Sequence, residues 1–177
     1  MSAPVALEDA VLTAWRTTSR VTEYLIERIP PTLWPAAVPG VPTRTIRAIA
    51  AHLHNSRCSW IRTLGEEHGI AAPARVDHRR VSRRQLGAAL RRSGRGIAAL
   101  LELGCERGGS VPPSKRYVWR NLPLDVGHVL CYFVAHEAHH RGQLVMAARQ
   151  LNARLPVPVA GGLWDWRARG REAGTAP

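Results

Sequence analysis

The sequence predicts an all-α fold of four helices, joined by connections long enough to leave crossover topologies open. Four segments repeat apolar residues at helical spacing, and about 14 to 17 residues rich in proline or glycine separate each segment from the next. No segment alternates apolar and polar residues for long enough to build a sheet. Connections of this length, at about 3.3 Å per residue, could cross a whole bundle. Helices that are adjacent in sequence therefore need not be neighbours in space.

The first two helical segments have clear ends. The first runs from about Val5 to Ile29 and ends at the Pro30-Pro31 pair, because proline cannot continue a helix. Thr43 or Thr45 caps the second segment, since a threonine hydroxyl can accept a backbone N–H of the first turn. The second segment extends to Gly65.

The third segment opens with Ser82 and Gln85 at the spacing of a capping box, and Gly108-Gly109 ends it. We expect this helix to be the least regular of the four, because a glycine in an exposed helix interior costs up to about 1 kcal/mol relative to alanine. The glycines concerned are Gly87, Gly94 and Gly96.

The fourth segment begins near Pro123 and Asp125, which suit a first helical turn, and extends to Leu151. We expect the chain after Leu151 to be irregular. Trp164 and Trp166 are expected to pack onto the bundle and close one end of a pocket.

The size of the chain indicates one domain. With 177 residues, 45% of them apolar, it can bury a core without disulfides. We assign residues 1–169 to a single domain and expect residues 170–177 to have no fixed structure.

Composition argues for a reducing environment and against a membrane. The three cysteines, Cys58, Cys105 and Cys131, are widely spaced and odd in number, so we interpret them as reduced thiols of a cytoplasmic protein. The N-terminus has no basic segment followed by an apolar block, and no uncharged run reaches membrane-spanning length. We therefore expect neither export nor a membrane partner.

The formal net charge of +12 raises the question of nucleic acid. Lys115 is the only lysine among 25 basic residues, and this dominance of arginine is also what GC-rich coding produces. The densest block, between Arg75 and Arg95, contains no aromatic residue on which a base could stack. We interpret that block as a solvated basic face and do not expect a nucleic-acid partner.

Candidate metal ligands lie in the fourth segment. His136 and His140 are one turn apart, within about 40° of each other, on the side of the helix that carries its apolar residues. Two imidazoles that face a core are costly without polar partners, and a metal ion gives both of them one partner.

A third histidine is available from the second segment. Helical periodicity puts His52 at the inner margin of that helix, whereas His54 falls on the charged side with Arg47 and Arg57. The sequence therefore favours His52 as the third ligand. Three neutral nitrogens with open coordination positions suit Zn²⁺, Ni²⁺ or Fe²⁺, and ligand type alone does not choose among these ions.

The stretch from His136 to His140 also matches the HExxH signature of zinc proteases, in which Glu137 would activate water. The usual flanking strands are missing, and no histidine follows His140. The third ligand of such a site would have to be Glu172 or Asp165. We therefore prefer the three-histidine interpretation.

Two stretches, IRAIAAHLHNSRCSW and HEAHHRGQLVMAARQL, followed by a terminal GLWDW, resemble the DinB family of DinB/YfiT-like metalloenzymes. The resemblance covers nearly the whole chain, and HxxxHRGQ is its most specific part. It implies a four-helix bundle with long crossover connections, commonly a homodimer, with a divalent metal held by one histidine of the second helix and two of the fourth. Carried over, these ligands are His52, His136 and His140.

The resemblance also suggests an activity, because more distant relatives include isomerases and S-transferases that use the low-molecular-weight thiols mycothiol or bacillithiol. A small-molecule substrate and a thiol cofactor are therefore hypotheses for this chain, and the alternative is a metal-binding stress-response bundle without turnover. No catalytic residue is assigned. The residues that could support the ligands or line a pocket are Glu137, Gln143, Trp60 and Trp164.

Overall fold

The computed structural model describes residues 6–175. Four long helices form the bundle that the sequence predicts, and two short helices follow them. Their bounds are α1 Leu7–Arg28, α2 Ile46–Leu64, α3 Arg83–Glu106, α4 Val126–Gln150, α5 Val157–Gly162 and α6 Trp166–Glu172. Val5, the predicted start of the first helix, lies outside the described residues. Across residues 6–175, no helix has the length and apolar character needed to cross a membrane.

Local capping signals define the ends of the long helices. Thr45 caps α2 by accepting the N–H of Ala48, and Ser82 forms a complete capping box with Gln85 at the start of α3. Asp125 precedes α4 as its N-cap, so Pro123 lies before the helix and not in its first turn.

The connection between α1 and α2 contains an antiparallel hairpin that the sequence did not indicate. Strands β1 (Ala37–Val38) and β2 (Val41–Thr45) pair in it, and Gly40 turns between them with a φ of +77°. The strands are too short for an alternating pattern to be visible. The hairpin leads directly into α2.

The helices pack with a crossover. Both α1 and α2 pack against α3 and α4, whereas α1 and α2 have little direct contact with each other. The first connection therefore crosses the bundle, as the long loops allowed. The core has two apolar ends: one includes Ile26, Leu53, Leu90 and Leu144, and the other includes Trp15, Ile61, Ile97 and Phe133.

A buried polar layer separates these two apolar ends. Each of the four long helices contributes to it, and its members are Thr18, Thr22, Glu23, His54, Arg57, Ser93 and Glu137. Buried polar side chains need partners inside the protein, so this layer specifies how the helices align along the bundle axis.

The prediction that α3 would be irregular is wrong. α3 is a continuous helix of 24 residues, because two of its glycines lie at helix contacts and not on an exposed surface. A Cβ on Gly94 would come within 2.8 Å of Ser19 Oγ, and a Cβ on Gly96 would come within 2.5 Å of Ile61 Cδ1. These glycines allow α1 and α2 to approach α3 closely.

The C-terminal segment differs from the prediction in two ways. Trp164 is 84% exposed and Trp166 is 41% exposed, so Trp164 does not pack onto the bundle and Trp166 does so only in part. α6 is ordered and packs on α1, where Glu172 accepts a hydrogen bond from Arg20 at 2.7 Å. The predicted boundary at residue 169 therefore falls inside α6, and residues 176–177 lie outside the described part of the chain.

Candidate metal centre

Three histidines from two helices converge at one side of the bundle. His52 lies on α2, and His136 and His140 lie one turn apart on α4. Each ring offers a nitrogen, and the three nitrogens all lie within 4.8 Å of one another. The Nε2 atoms of His52 and His136 are 3.3 Å apart. The structure thus brings together the three residues that the sequence selected.

The cluster is open to solvent on one side. His140 is buried, His136 is half-buried and His52 is exposed. The prediction that His136 faces the core is therefore only partly right, because this ring lies at the edge of the buried face of α4. An open cluster leaves space for a further ligand, unlike the closed site that is typical of structural zinc.

A glutamine holds the ring of His140. Gln143 Oε1 lies 2.8 Å from His140 Nδ1, and Gln143 Nε2 lies 3.0 Å from His139 Nε2. A carbonyl oxygen only accepts hydrogen bonds, so Nδ1 of His140 carries the proton and Nε2 has the free lone pair. This is how a metal-binding histidine is commonly oriented by its other nitrogen. Gln143 therefore contacts a candidate ligand directly, and its supporting role stays a prediction.

The surroundings keep the three imidazoles neutral. Burial, with the nearby His140 and His52, lowers the pKa of His136 to about 4. Burial also lowers the pKa of His52 and His140, and the positive charge of Arg44 lowers both further. Neutral imidazoles are the form that donates a lone pair to a metal ion.

The donor set fits a divalent ion. Two nitrogens that bind one tetrahedral ion at about 2.0–2.1 Å lie about 3.3 Å apart, which matches the separation of His52 and His136. Nδ1 of His140 is hydrogen-bonded to Gln143, which leaves the lone pair of its Nε2 free for an ion. Three imidazoles of this kind suit zinc, nickel or iron(II).

The reason given for choosing His52 over His54 is wrong, because His54 is the buried residue of the two and His52 is exposed. His54 does not face solvent: it is fully buried and bonded at 3.0 Å to both Ser93 Oγ and Ala74 O. Arg57, assigned to the same charged side, is 1% exposed. The two polar side chains are buried because other buried polar groups bind them, which helical periodicity cannot detect.

Glu137 points away from the histidines and joins three helices. Its Oε1 accepts a hydrogen bond from Arg57 Nε at 2.5 Å, and its Oε2 accepts one from the hydroxyl of Thr22 at 2.5 Å. Both oxygens are engaged in the polar layer, so Glu137 is not positioned to activate water as a zinc protease requires. Glu137 instead lies at the interface of α1, α2 and α4.

Aromatic side chains border the cluster next to His136. The ring of Tyr132 stacks on His136 with a centroid distance of 5.9 Å, and its hydroxyl accepts a hydrogen bond from Trp60 Nε1 at 3.2 Å. Trp60 contacts the site only through Tyr132, so its role stays a prediction. Trp164 is exposed on the C-terminal segment. Tyr132 was missed, although it precedes His136 by one helical turn.

Sequence reasoning also missed Arg57 and Thr22. A signal was present, because Arg57 occurs four residues after Leu53 and four before Ile61, and both of these are fully buried. A charged residue at the spacing of core residues indicates a buried charge that needs a partner on another helix. Glu137, four residues after the buried Phe133, satisfies the same criterion.

Fold and site together define a helical bundle whose histidine cluster could hold a metal ion. The chain matches the model of the DinB family over residues 1–159, and it therefore belongs to the DinB family. No curated protein and no solved structure matches it.

Proposed function

We propose that this protein is a divalent-metal-dependent enzyme in which His52, His136 and His140 hold the ion. The observation that carries the proposal is the convergence of three neutral imidazoles, with nitrogens within 4.8 Å, at a solvent-open position. An open position is what a catalytic metal site needs, because a substrate atom must reach the ion.

When bound, a divalent ion at this site would act as a Lewis acid and lower the pKa of a thiol or water that it coordinates. The chain's own residues prepare the site for it. Gln143 fixes the tautomer of His140, and the Arg57–Glu137 ion pair aligns α2 with α4, the two helices that carry the ligands. Tyr132 packs against His136 and limits its rotation.

The reaction class that we propose is transfer of a low-molecular-weight thiol, or an isomerisation that depends on one. In a transfer, a sulfur–carbon bond forms, the leaving group departs with its bonding electrons, and the thiol proton passes to solvent. The charges of Arg44 and Arg75 act on His52, and the same positive field favours a thiolate over a thiol. Such thiols are reduced in the cytoplasm, where we also place the protein.

The test is a screen for turnover. Protein prepared without a histidine tag is loaded with zinc, nickel or iron(II) and assayed for loss of mycothiol, bacillithiol or glutathione in the presence of carbon electrophiles. We expect His136→Ala to abolish turnover. The control variant, His78→Ala, should retain it, because His78 is exposed in a loop far from the ligands in sequence. Metal binding without turnover for any thiol would favour the stress-response alternative.

A further inference from the structure

An open cleft with a largely apolar lining adjoins the polar histidine cluster. It has a volume of about 550 Å³ and lies between the hairpin, α2 and α4, which is within the size range of small-molecule sites, roughly 300–1,000 Å³. Its apolar wall includes Val38, Val41, Ile49 and Met146. We call it the apolar cleft.

The apolar cleft contains one full charge. Among the described residues that line it, Arg44, on β2, is the only arginine, lysine or carboxylate residue. Within residues 6–175, Arg44 is half-buried and no carboxylate lies within 4.0 Å of its guanidinium. A partly desolvated guanidinium beside an apolar wall lacks the anion that would best compensate its charge.

The cleft and the histidine cluster share a boundary. Gln143 lines the cleft and at the same time bonds His140. Arg44 and Gln143 line the same cleft. A molecule in the cleft would therefore have one part against the apolar wall, one part at Arg44 and one part beside the metal ligands.

We propose that the apolar cleft binds the substrate that accepts the thiol, and that this substrate combines an apolar chain with a carboxylate. The apolar chain would displace water from the wall formed by Val41, Ile49 and Met146, and the carboxylate would pair with Arg44. Because no acidic side chain of residues 6–175 lines the cleft, a cationic ligand would form no ion pair there. The assignment of this molecule as a substrate rests on the proposed function, whereas its binding rests only on the cleft and Arg44.

The experiment measures binding of simple probes by isothermal titration calorimetry. Octanoate has an apolar chain and a carboxylate, and octylammonium has the same chain with the opposite charge. We expect octanoate to bind the wild-type protein more tightly than octylammonium does. Arg44→Gln should weaken octanoate binding by about tenfold, the loss expected for one charge-assisted hydrogen bond. Arg84→Gln, which removes a charge from the exposed start of α3, should leave it unchanged.

A second cleft variant, which should stay folded, distinguishes loss of binding from loss of the fold. Met146 is 52% exposed, so Met146→Glu should leave the helix content unchanged while it introduces a carboxylate that repels octanoate. Loss of octanoate affinity by about fivefold or more in both cleft variants supports the proposal. A smaller loss in either folded variant, or equal affinity for the two probes, overturns it.

The same titrations separate this proposal from the proposed function. They are performed on metal-free and on metal-loaded protein, with the metal content measured for each sample. Binding of octanoate by a protein that takes up no metal would uphold the cleft and contradict the metal-dependent enzyme. A metal-loaded protein that does not bind octanoate would contradict the cleft alone.

Discussion

The buried pair of Arg57 and Glu137 offers a quantitative test of how the two ligand-bearing helices are aligned. Both side chains are 1% exposed, and Arg57 Nη2 lies 2.5 Å from Glu137 Oε1. Glu137→Ala would leave a buried guanidinium whose remaining bond is to the carbonyl of Leu90 at 3.0 Å. Removing one partner of a buried ion pair costs about 3–5 kcal/mol, so we expect a loss of that size in the free energy of unfolding.

Removing both charges should cost less than removing either one. In the double variant Arg57→Met, Glu137→Leu no buried charge of the pair is left without its partner. The groups that lose a bond also keep another: Leu90 O still accepts from Ser93, and the Thr22 hydroxyl still accepts from Arg141 at 2.9 Å. Urea unfolding followed by circular dichroism gives the four corners of the cycle. Single variants that cost less than about 1 kcal/mol, or a double variant that costs as much as either single one, would contradict this prediction.

The pair should also affect metal binding beyond its effect on stability. Arg57 follows His52 by five residues on α2, and Glu137 is next to His136 on α4. The matched control is Leu100→Ala, which truncates a fully buried residue at the Trp15 end of the core and should cost about 2–5 kcal/mol. We expect the double variant to lose metal affinity and the control to retain it while both remain folded. Equal affinities would show that the pair acts only on stability.

Three further predictions concern other parts of the molecule. Burial raises the pKa of Glu23 above its ordinary 4.5, so the folded state keeps a proton that the unfolded state releases, and the free energy of unfolding falls as pH rises from 4.5 towards the folded pKa. Urea unfolding between pH 4.5 and 7 should therefore show Glu23→Gln gaining stability relative to wild type as pH rises. A difference between the two proteins that does not depend on pH would contradict this. Ellman's reagent should modify the exposed Cys131 first. It should reach Cys58 only after unfolding, because this thiol is buried and burial raises its pKa. Rapid reaction of Cys58 in the folded protein would be inconsistent with its burial. Light scattering at micromolar concentration should give the mass of a homodimer, as the family resemblance implies, and a monomer mass would argue against it.

Local chemistry explains which parts of the fold were predictable. The ends of α2 and α3 were found because Thr45 and Ser82 bond to N–H groups three residues away, so the whole signal lies within a few residues. The position of α6 was not found, because its bond to α1 joins Arg20 to Glu172 across 152 residues. The exposure of Trp164 also depends on how distant segments pack, and its apolar character alone gave the wrong expectation.

The candidate site was predicted for partly mistaken reasons. The spacing of His136 and His140 on one helix is a local property, and it was read correctly. His52 was selected on the assumption that His54 and Arg57 face solvent, whereas both are buried by partners on other helices. Helical periodicity assigns residues to the two sides of a helix, but it does not show which polar side chains form hydrogen bonds inside the protein.

The most direct test of the three-histidine site is the metal content of the His136→Ala variant together with its helicity. We expect the wild-type protein, purified without a histidine tag and titrated with zinc, nickel or iron(II), to hold one ion per chain. His136→Ala should hold none and remain helical, because Val129, Phe133 and Leu144 bury α4 without the ion. Its melting temperature should fall only as far as mass action at the free metal concentration allows. A variant that retains the ion would contradict the three-histidine site, and a variant that unfolds would show that the ion is structural.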